Sequence, residues 1–157
     1  MLKRFLGAVW RKMPAWAWRW TMRATNARFT VTVAAVVINE RHEVLLLKHL
    51  FRPGPGWGMP GGFLEVREQP HEALRRELQE EVGLQIDELE IISVRSFTKP
   101  RQLEIVFIGR ASGDVQPRSI EVESAAWFSP QSLPPGLPEH QRRLIERVVS
   151  DRASGRN

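Results

Sequence analysis

An α+β chain, with helices set as an α/β/α arrangement around a mixed central sheet, is the fold class that three features of the sequence predict. Two β-branched or aliphatic runs lie close together at 29–38 and 43–48, one strongly periodic helix covers 70–82, and further strand runs precede a terminal amphipathic helix. The length of 157 residues is about one domain's worth of chain, enough to bury a core without staples. With 42% hydrophobic and 26% charged residues, the composition excludes collagenous, low-complexity and wholly disordered classes. The chain contains no cysteine. That excludes disulfides, thiolate zinc sites and a cysteine nucleophile, fits a reducing cytoplasm, and leaves carboxylates, histidines, hydroxyls or a hard metal to carry any chemistry.

The elements follow in order. Residues 1–28 form a segment of their own, with seven cations (Lys3, Arg4, Arg11, Lys12, Arg19, Arg23 and Arg28) and no acid. The remainder carries 16 Lys and Arg against 18 Asp and Glu, so the net charge of +5 belongs to the first 28 residues. Four of the six tryptophans, Trp10, Trp16, Trp18 and Trp20, are interleaved with these cations. Pro14 suits a first helical turn, so a second short helix is expected over roughly 14–25, with Trp16 and Trp20 as i,i+4 neighbours. Two readings stand: peripheral docking on an anionic membrane through Trp and Arg, or tryptophans packed on the domain. The apolar run from Phe5 to Trp10 is too short for a secretory signal, although an organelle transit peptide fits the same composition. No stretch reaches the about 18 apolar residues of a spanning helix.

Residues 29–150 are expected to form the folded domain. FTVTVAAVVI (29–38) reads as a strand buried on both faces, Asn39-Glu40-Arg41-His42 as a turn, and EVLLLK (43–48) as its hairpin partner. Five glycines and three prolines between His49 and Gly62 mark a loop or a set of tight turns. From Pro70, Leu74, Leu78 and Val82 recur at helical spacing until Gly83, a C-terminal stop. Strand runs follow at 89–98 and 103–109, with a shorter one ending at Trp127-Phe128. The Pro-rich segment 130–138 leads into a helix with Leu144, Ile145, Val148 and Val149 on one face. Residues 151–157 are expected to fray.

Eight of the fifteen glutamates fall between Glu65 and Glu90, and the 70–82 helix carries Glu77, Glu80 and Glu81 at i, i+3 and i+4. These three share an arc of about 100°. Like charges so placed cost a helix about 0.2–0.5 kcal/mol per pair, and a divalent cation offsets the repulsion. Oxygen donors without cysteine or paired histidines favour Mg²⁺ or Mn²⁺ over zinc, and magnesium commonly bridges to substrate phosphates.

From Gly62 the chain reads GFLEVREQPHEALRRELQEEVGL. It resembles the Nudix box at all nine specified positions: Gly62, Glu68, Arg76, Glu77, Leu78, Glu80, Glu81, Gly83 and Leu84. The likeness extends over about 29–150. It implies an α/β/α sandwich with the box as loop, helix and loop, and metal-dependent hydrolysis of a nucleoside diphosphate linked to another moiety: ADP-ribose, related sugars, dinucleotides or oxidised nucleoside triphosphates. Carried over by position, Glu77, Glu80 and Glu81 are the implied metal ligands, with the Gly62 carbonyl as an added one, and Arg76 orients Glu77. Leu78 and Leu84 seat the helix. The proton acceptor is either Glu77 or Glu121, six residues before Trp127, with Glu104 and Glu123 as rivals. Trp57 is placed to stack on a base or sugar, and Arg52, Arg95 and Arg101 to meet the terminal phosphate or the second moiety. His49 and His71 lack metal-ligand spacing. Many members of the family carry glycine where this chain has Arg67, so either an altered loop path or a cation near the substrate is expected there. Homodimers are common among relatives. The competing readings are a nucleotide-sensing module that does not cleave, and an RNA 5′-end hydrolase clamped by the basic N-terminus. An isoprenoid diphosphate isomerase fits poorly, because it relies on a cysteine.

Overall fold

The chain's β-branched runs pair as strands, and their alternation decides what covers each face. The computed structural model describes residues 14–18, 20, 28–51 and 56–154. Six strands form one mixed sheet: β1 (Thr30–Ile38), β2 (Val44–His49), β3 (Trp57–Gly58), β4 (Asp87–Phe97), β5 (Gln102–Arg110) and β6 (Val122–Phe128). Helix α1 spans Pro70–Val82 and α2 spans Glu139–Ala153. β1 and β5 run parallel in register from Thr30↔Gln102 to Ile38↔Arg110, β4 and β5 form an antiparallel hairpin, and β6 borders β2.

Period-two alternation on β1 sends Val33, Ala35 and Val37 to one face and Ala34 and Val36 to the other. The first set packs with Leu74, Leu78 and Val82 of α1, and the second with Leu144, Ile145 and Val148 of α2. Three layers result, as expected. Each fully buried Leu or Ile contributes about 1.5–3 kcal/mol, so the two clusters fix both helices firmly on the sheet.

Two details depart from the expected pattern. β1 and β2 make a hairpin that pairs only at Ile38↔Val44 before diverging. The chain after β3 enters the gap and pairs with β1: Val33 N–H donates to the Gly62 carbonyl at 2.9 Å, Ala35 N–H to Pro60 at 3.0 Å, and Leu64 N–H to Val31 at 3.0 Å. Thus the segment read as a plain loop from 49 to 62 contains a strand and a sheet-bound arm, and His49 closes β2 instead of opening a loop. The second departure lies at the C-terminus, where α2 carries on to Ala153, so residues 151–153 continue the helix instead of fraying.

Of the N-terminal segment, residues 15–18 are helical, Trp18 N–H donates to the Pro14 carbonyl at 3.1 Å, and Trp16 and Trp20 are 69% and 73% exposed. The rest of the helical reading for 1–27 lies outside the described residues. Among the described residues no helix is long and apolar enough to cross a membrane.

Candidate active site

Close backbone packing builds the site. Gly61 has φ +144°, and a Cβ there would stand 2.1 Å from the Val33 carbonyl oxygen, so only glycine lets the 59–64 arm lie against β1. The arm's path brings Gly62 beneath α1, where a Cβ would stand 2.1 Å from Glu77 Oε1. The Gly62 carbonyl accepts the Val33 N–H, so one of its two lone pairs serves the sheet. What Gly62 gives the site most visibly is space for a carboxylate.

Helix α1 starts and stops where the sequence places it. Pro70 occupies the first turn, the Gln69 N–H donates to Glu72 Oε2 at 3.0 Å, and Gly83 ends the helix in the left-handed region at φ +71°. Between these ends Arg76 gathers the acids. Its Nε and Nη2 bond both oxygens of Glu68 at 2.9 and 3.1 Å, its Nη1 bonds Glu77 Oε1 at 3.1 Å and Glu80 Oε2 at 3.3 Å, and Nη2 also donates to the Phe63 carbonyl. The bidentate bond goes to Glu68, eight residues back, and one donor reaches Glu77. Arg76 therefore ties the loop 63–68 to α1 and orients Glu77 at the same time. The hydrogen bond from Arg76 holds the Glu68 carboxyl below its ordinary pKa. At Glu77 burial dominates and raises the pKa, with Arg76 opposing it.

The three glutamates do not share an exposed face. Glu80 is exposed, Glu77 is largely covered, and Glu81 is buried on the side of α1 that faces β2. There its Oε1 lies 3.7 Å from Nε2 of His49, which is also buried. Leu45 and Leu47 of β2 pack on the α1 side of the sheet, and His49, two residues further on, keeps that face, so alternation carries its side chain toward α1. Sequence reasoning set His49 aside because metal-ligand spacing is a local signal and this contact crosses from a strand to a helix.

A cavity of about 990 Å³ opens over these residues, lined by His49, Trp57, Glu77, Glu80, Glu81 and Glu121 among others. Trp57 meets Phe128 edge to face at 5.0 Å and presents its remaining surface to the cavity. Phe51 and Phe63, both exposed aromatics, also line it and were not foreseen. Gln141 of α2 accepts the Met59 N–H at 2.9 Å and so pins the arm beside the cavity.

The three acids outside α1 separate by their partners. Glu104 lines the cavity but is bonded to Arg95, and Glu123 pairs with Lys48 at 2.9 Å. Glu121 is exposed and lines the cavity, its backbone N–H donating to Ser119 Oγ at 3.2 Å. Arg101 is not brought to the site: the hairpin turn between β4 and β5 holds it outside, exposed, with its carbonyl accepting the Thr30 N–H. Arg52 lies outside the described residues, and His71 is exposed on the first turn of α1. Arg67 has a left-handed backbone, φ +74°, a conformation that glycine adopts freely and that costs a residue with a Cβ strain.

Residues 28–148 match the family model described as NUDIX domain. The chain belongs to the Nudix hydrolase family. It is 34% identical over 131 residues to the human 8-oxo-dGDP phosphatase NUDT18, covering 80% of this chain and 40% of that protein. It is also 34% identical over 123 residues to the NAD-capped RNA hydrolase NudC of Pseudomonas aeruginosa, covering 75% of this chain and 44% of that one. The chain thus spans less than half the length of these curated relatives. Among solved structures, a NUDIX hydrolase from Nitrosomonas europaea superposes with a TM-score of 0.73 at 26% identity, over 83% of this chain and 76% of that one. An ADP-ribose pyrophosphatase from Streptococcus suis does so at 0.63 and 25%, over 77% and 92%.

Proposed function

We propose that this Nudix chain hydrolyses the diphosphate linkage of a nucleoside diphosphate derivative, using a divalent cation. The observation that carries this reading is the Arg76 clamp, which gathers Glu68, Glu77 and Glu80 at the edge of a cavity that Glu81 and Glu121 also line. The donor chemistry fits a hard cation: clustered carboxylates, no cysteine, and the Glu77 carboxylate seated against Gly62 where any Cβ would strike it. Among the described residues no three His, Asp or Glu side chains are grouped as a finished metal site. Glu80, exposed and bonded to Arg76 at 3.3 Å, is the ligand free to rotate inward. Glu77, Glu80 and Glu81 would hold Mg²⁺ or Mn²⁺, and the bound cation supplies Lewis-acid polarisation of a phosphoryl oxygen.

The chain's own residues do the rest. Arg76 fixes Glu77 so that its carboxylate does not reorganise during reaction. His49 sets the position of Glu81. Glu121 accepts the proton of the attacking water while the water oxygen bonds to phosphorus and the bridging P–O bond breaks, which leaves two phosphorylated products. Trp57 packs a base or sugar against the cavity wall. A volume of about 990 Å³ is at the upper end of small-molecule sites, which supports a substrate with a moiety on each side of the diphosphate, such as ADP-ribose or a nucleotide sugar.

The test is phosphate release, coupled to a phosphatase, across ADP-ribose, dinucleotides, nucleotide sugars and oxidised nucleoside triphosphates, with Mg²⁺ or with EDTA. Turnover of one substrate group, abolished by EDTA, supports the reading. Binding of a nucleotide with no turnover of any substrate moves the chain to the sensing alternative.

For the N-terminal segment, the exposure of Trp16, Trp18 and Trp20 supports surface docking over packing. A blue shift of tryptophan emission on anionic vesicles is expected, and an unchanged spectrum opposes it.

A further inference from the structure

We propose that the groove between α2 and β4 is a second binding site, one that takes the phosphate backbone of a single-stranded nucleic acid leading away from the catalytic cavity. It rests on the proposed hydrolase reading for what happens at the strand's end, and on its own geometry for the binding.

A second cavity of about 640 Å³ lies along this groove. Ser93 and Arg95, two apart and so on one face of β4, form one wall. His140, Arg143, Leu144 and Arg147 of α2 form the other, with Glu139 at its start. Three guanidinium groups thus line the groove: Arg95 is bonded to Glu104 of the neighbouring strand, Arg143 to Glu139, and Arg147 stands apart from both pairs. Arg143 is bonded to Glu139 at 2.8 Å in an exposed pair, and such pairs exchange partners at little cost. Arg147 has no carboxylate within ion-pair distance among the described residues. Burial, and after it the positive charge of Arg95, push the His140 pKa down, with Glu104 opposing them.

The groove adjoins the proposed active site across one turn of helix. Pro138 and Gln141 line the catalytic cavity, while Glu139 and His140 line the groove, so the first turn of α2 divides the two. Glu104, which lines the catalytic cavity, is bonded to Arg95, which lines the groove. A substrate tail leaving the cavity over this turn meets Arg95, then Arg143, then Arg147 one helical turn and about 6 Å further on. Two exposed cations one helical turn apart, Arg143 and Arg147, with the partly covered Arg95 behind them, suit an extended polyanion held through counterion release better than one enclosed phosphate.

The test uses the full chain and a fluorescein-labelled twelve-nucleotide single-stranded RNA, followed by anisotropy over a NaCl series. The double variant Arg143→Ala/Arg147→Ala changes exposed helix positions and leaves the catalytic cavity intact. Its RNA affinity is expected to fall roughly 10–30-fold at about 0.1 M salt, and the slope of log K against log salt to fall by about 1.4, which is two phosphate contacts. Arg143→Lys/Arg147→Lys is expected to restore the slope. Hydrolysis of a small free nucleoside diphosphate derivative stays within about twofold of wild type in both variants. Unchanged RNA binding in the alanine variant overturns the proposal and assigns the binding to the basic N-terminal segment. Equal affinity for an acidic peptide overturns it in favour of a protein partner. If wild type hydrolyses no diphosphate and the RNA arm behaves as expected, the hydrolase reading fails and the groove stands.

Discussion

Replacing Gly62 with alanine separates the geometry of the site from the stability of the fold. The added Cβ would stand 2.1, 2.2 and 2.6 Å from Oε1, Cδ and Oε2 of Glu77, far inside the contact distance of about 3.5 Å. Every atom of the carboxylate must therefore retreat by about 1 Å or more. The atoms that move are the far end of a flexible side chain, so the fold absorbs the change for about 1–2 kcal/mol, the low side of overpacking. Activity does not absorb it, because a displacement near 1 Å at a reacting group costs about 10²-fold in rate. Gly61→Ala is the control: its Cβ would strike the backbone of β1, at 2.1 Å from the Val33 oxygen, so stability falls first. Urea unfolding gives the stability of each variant, and Mg²⁺-dependent phosphate release gives kcat and KM. Wild-type kcat in Gly62→Ala would refute the placement of Glu77 in the reaction.

Three further outcomes follow from the same structure. Arg67→Gly removes a left-handed non-glycine residue, and after the entropy that glycine loses on folding it should raise stability by up to about 1 kcal/mol; a lower urea midpoint would oppose this. The Glu68 carboxyl titrates lower in the folded than in the unfolded state, so its contribution is present above about pH 4.5 and is lost as pH falls through its folded value. The acid loss of stability should therefore be shallower in Glu68→Gln, and identical pH profiles would count against the Arg76 bond. His49→Leu should lower turnover in the wild-type background and add little to Glu81→Gln, a coupling of about 0.5–3 kcal/mol; equal losses in both backgrounds would remove His49 from the account.

The periodic parts of the chain were legible and the crossings were not. Pro70, the Leu74–Leu78–Val82 spacing and Gly83 fix α1 to the residue, because capping and burial are local. Alternation in β1 foretold a strand covered on both sides. Nothing local indicated that the arm after β3 would wedge between β1 and β2, since its pairing depends on the absence of a side chain at Gly61 more than on β propensity. At the site, spacing placed the three glutamates on one arc but could not say that Glu81 faces β2, because an arc has two edges and only packing decides which is buried. Arg76 was expected to hold Glu77. That its strongest bond reaches back to Glu68 depends on the loop conformation at Arg67.

Hydrolysis in ¹⁸O-enriched water, with wild type and Glu81→Gln compared at equal Mg²⁺ on the substrate that the panel selects, reports both where water attacks and whether the α1 glutamates drive the reaction. Wild type should place one ¹⁸O in a single phosphorylated product, and Glu81→Gln should turn over slower by orders of magnitude with its circular dichroism and melting temperature close to wild type. Wild-type turnover from Glu81→Gln, or cleavage that leaves no label on phosphorus, would contradict the proposed hydrolysis.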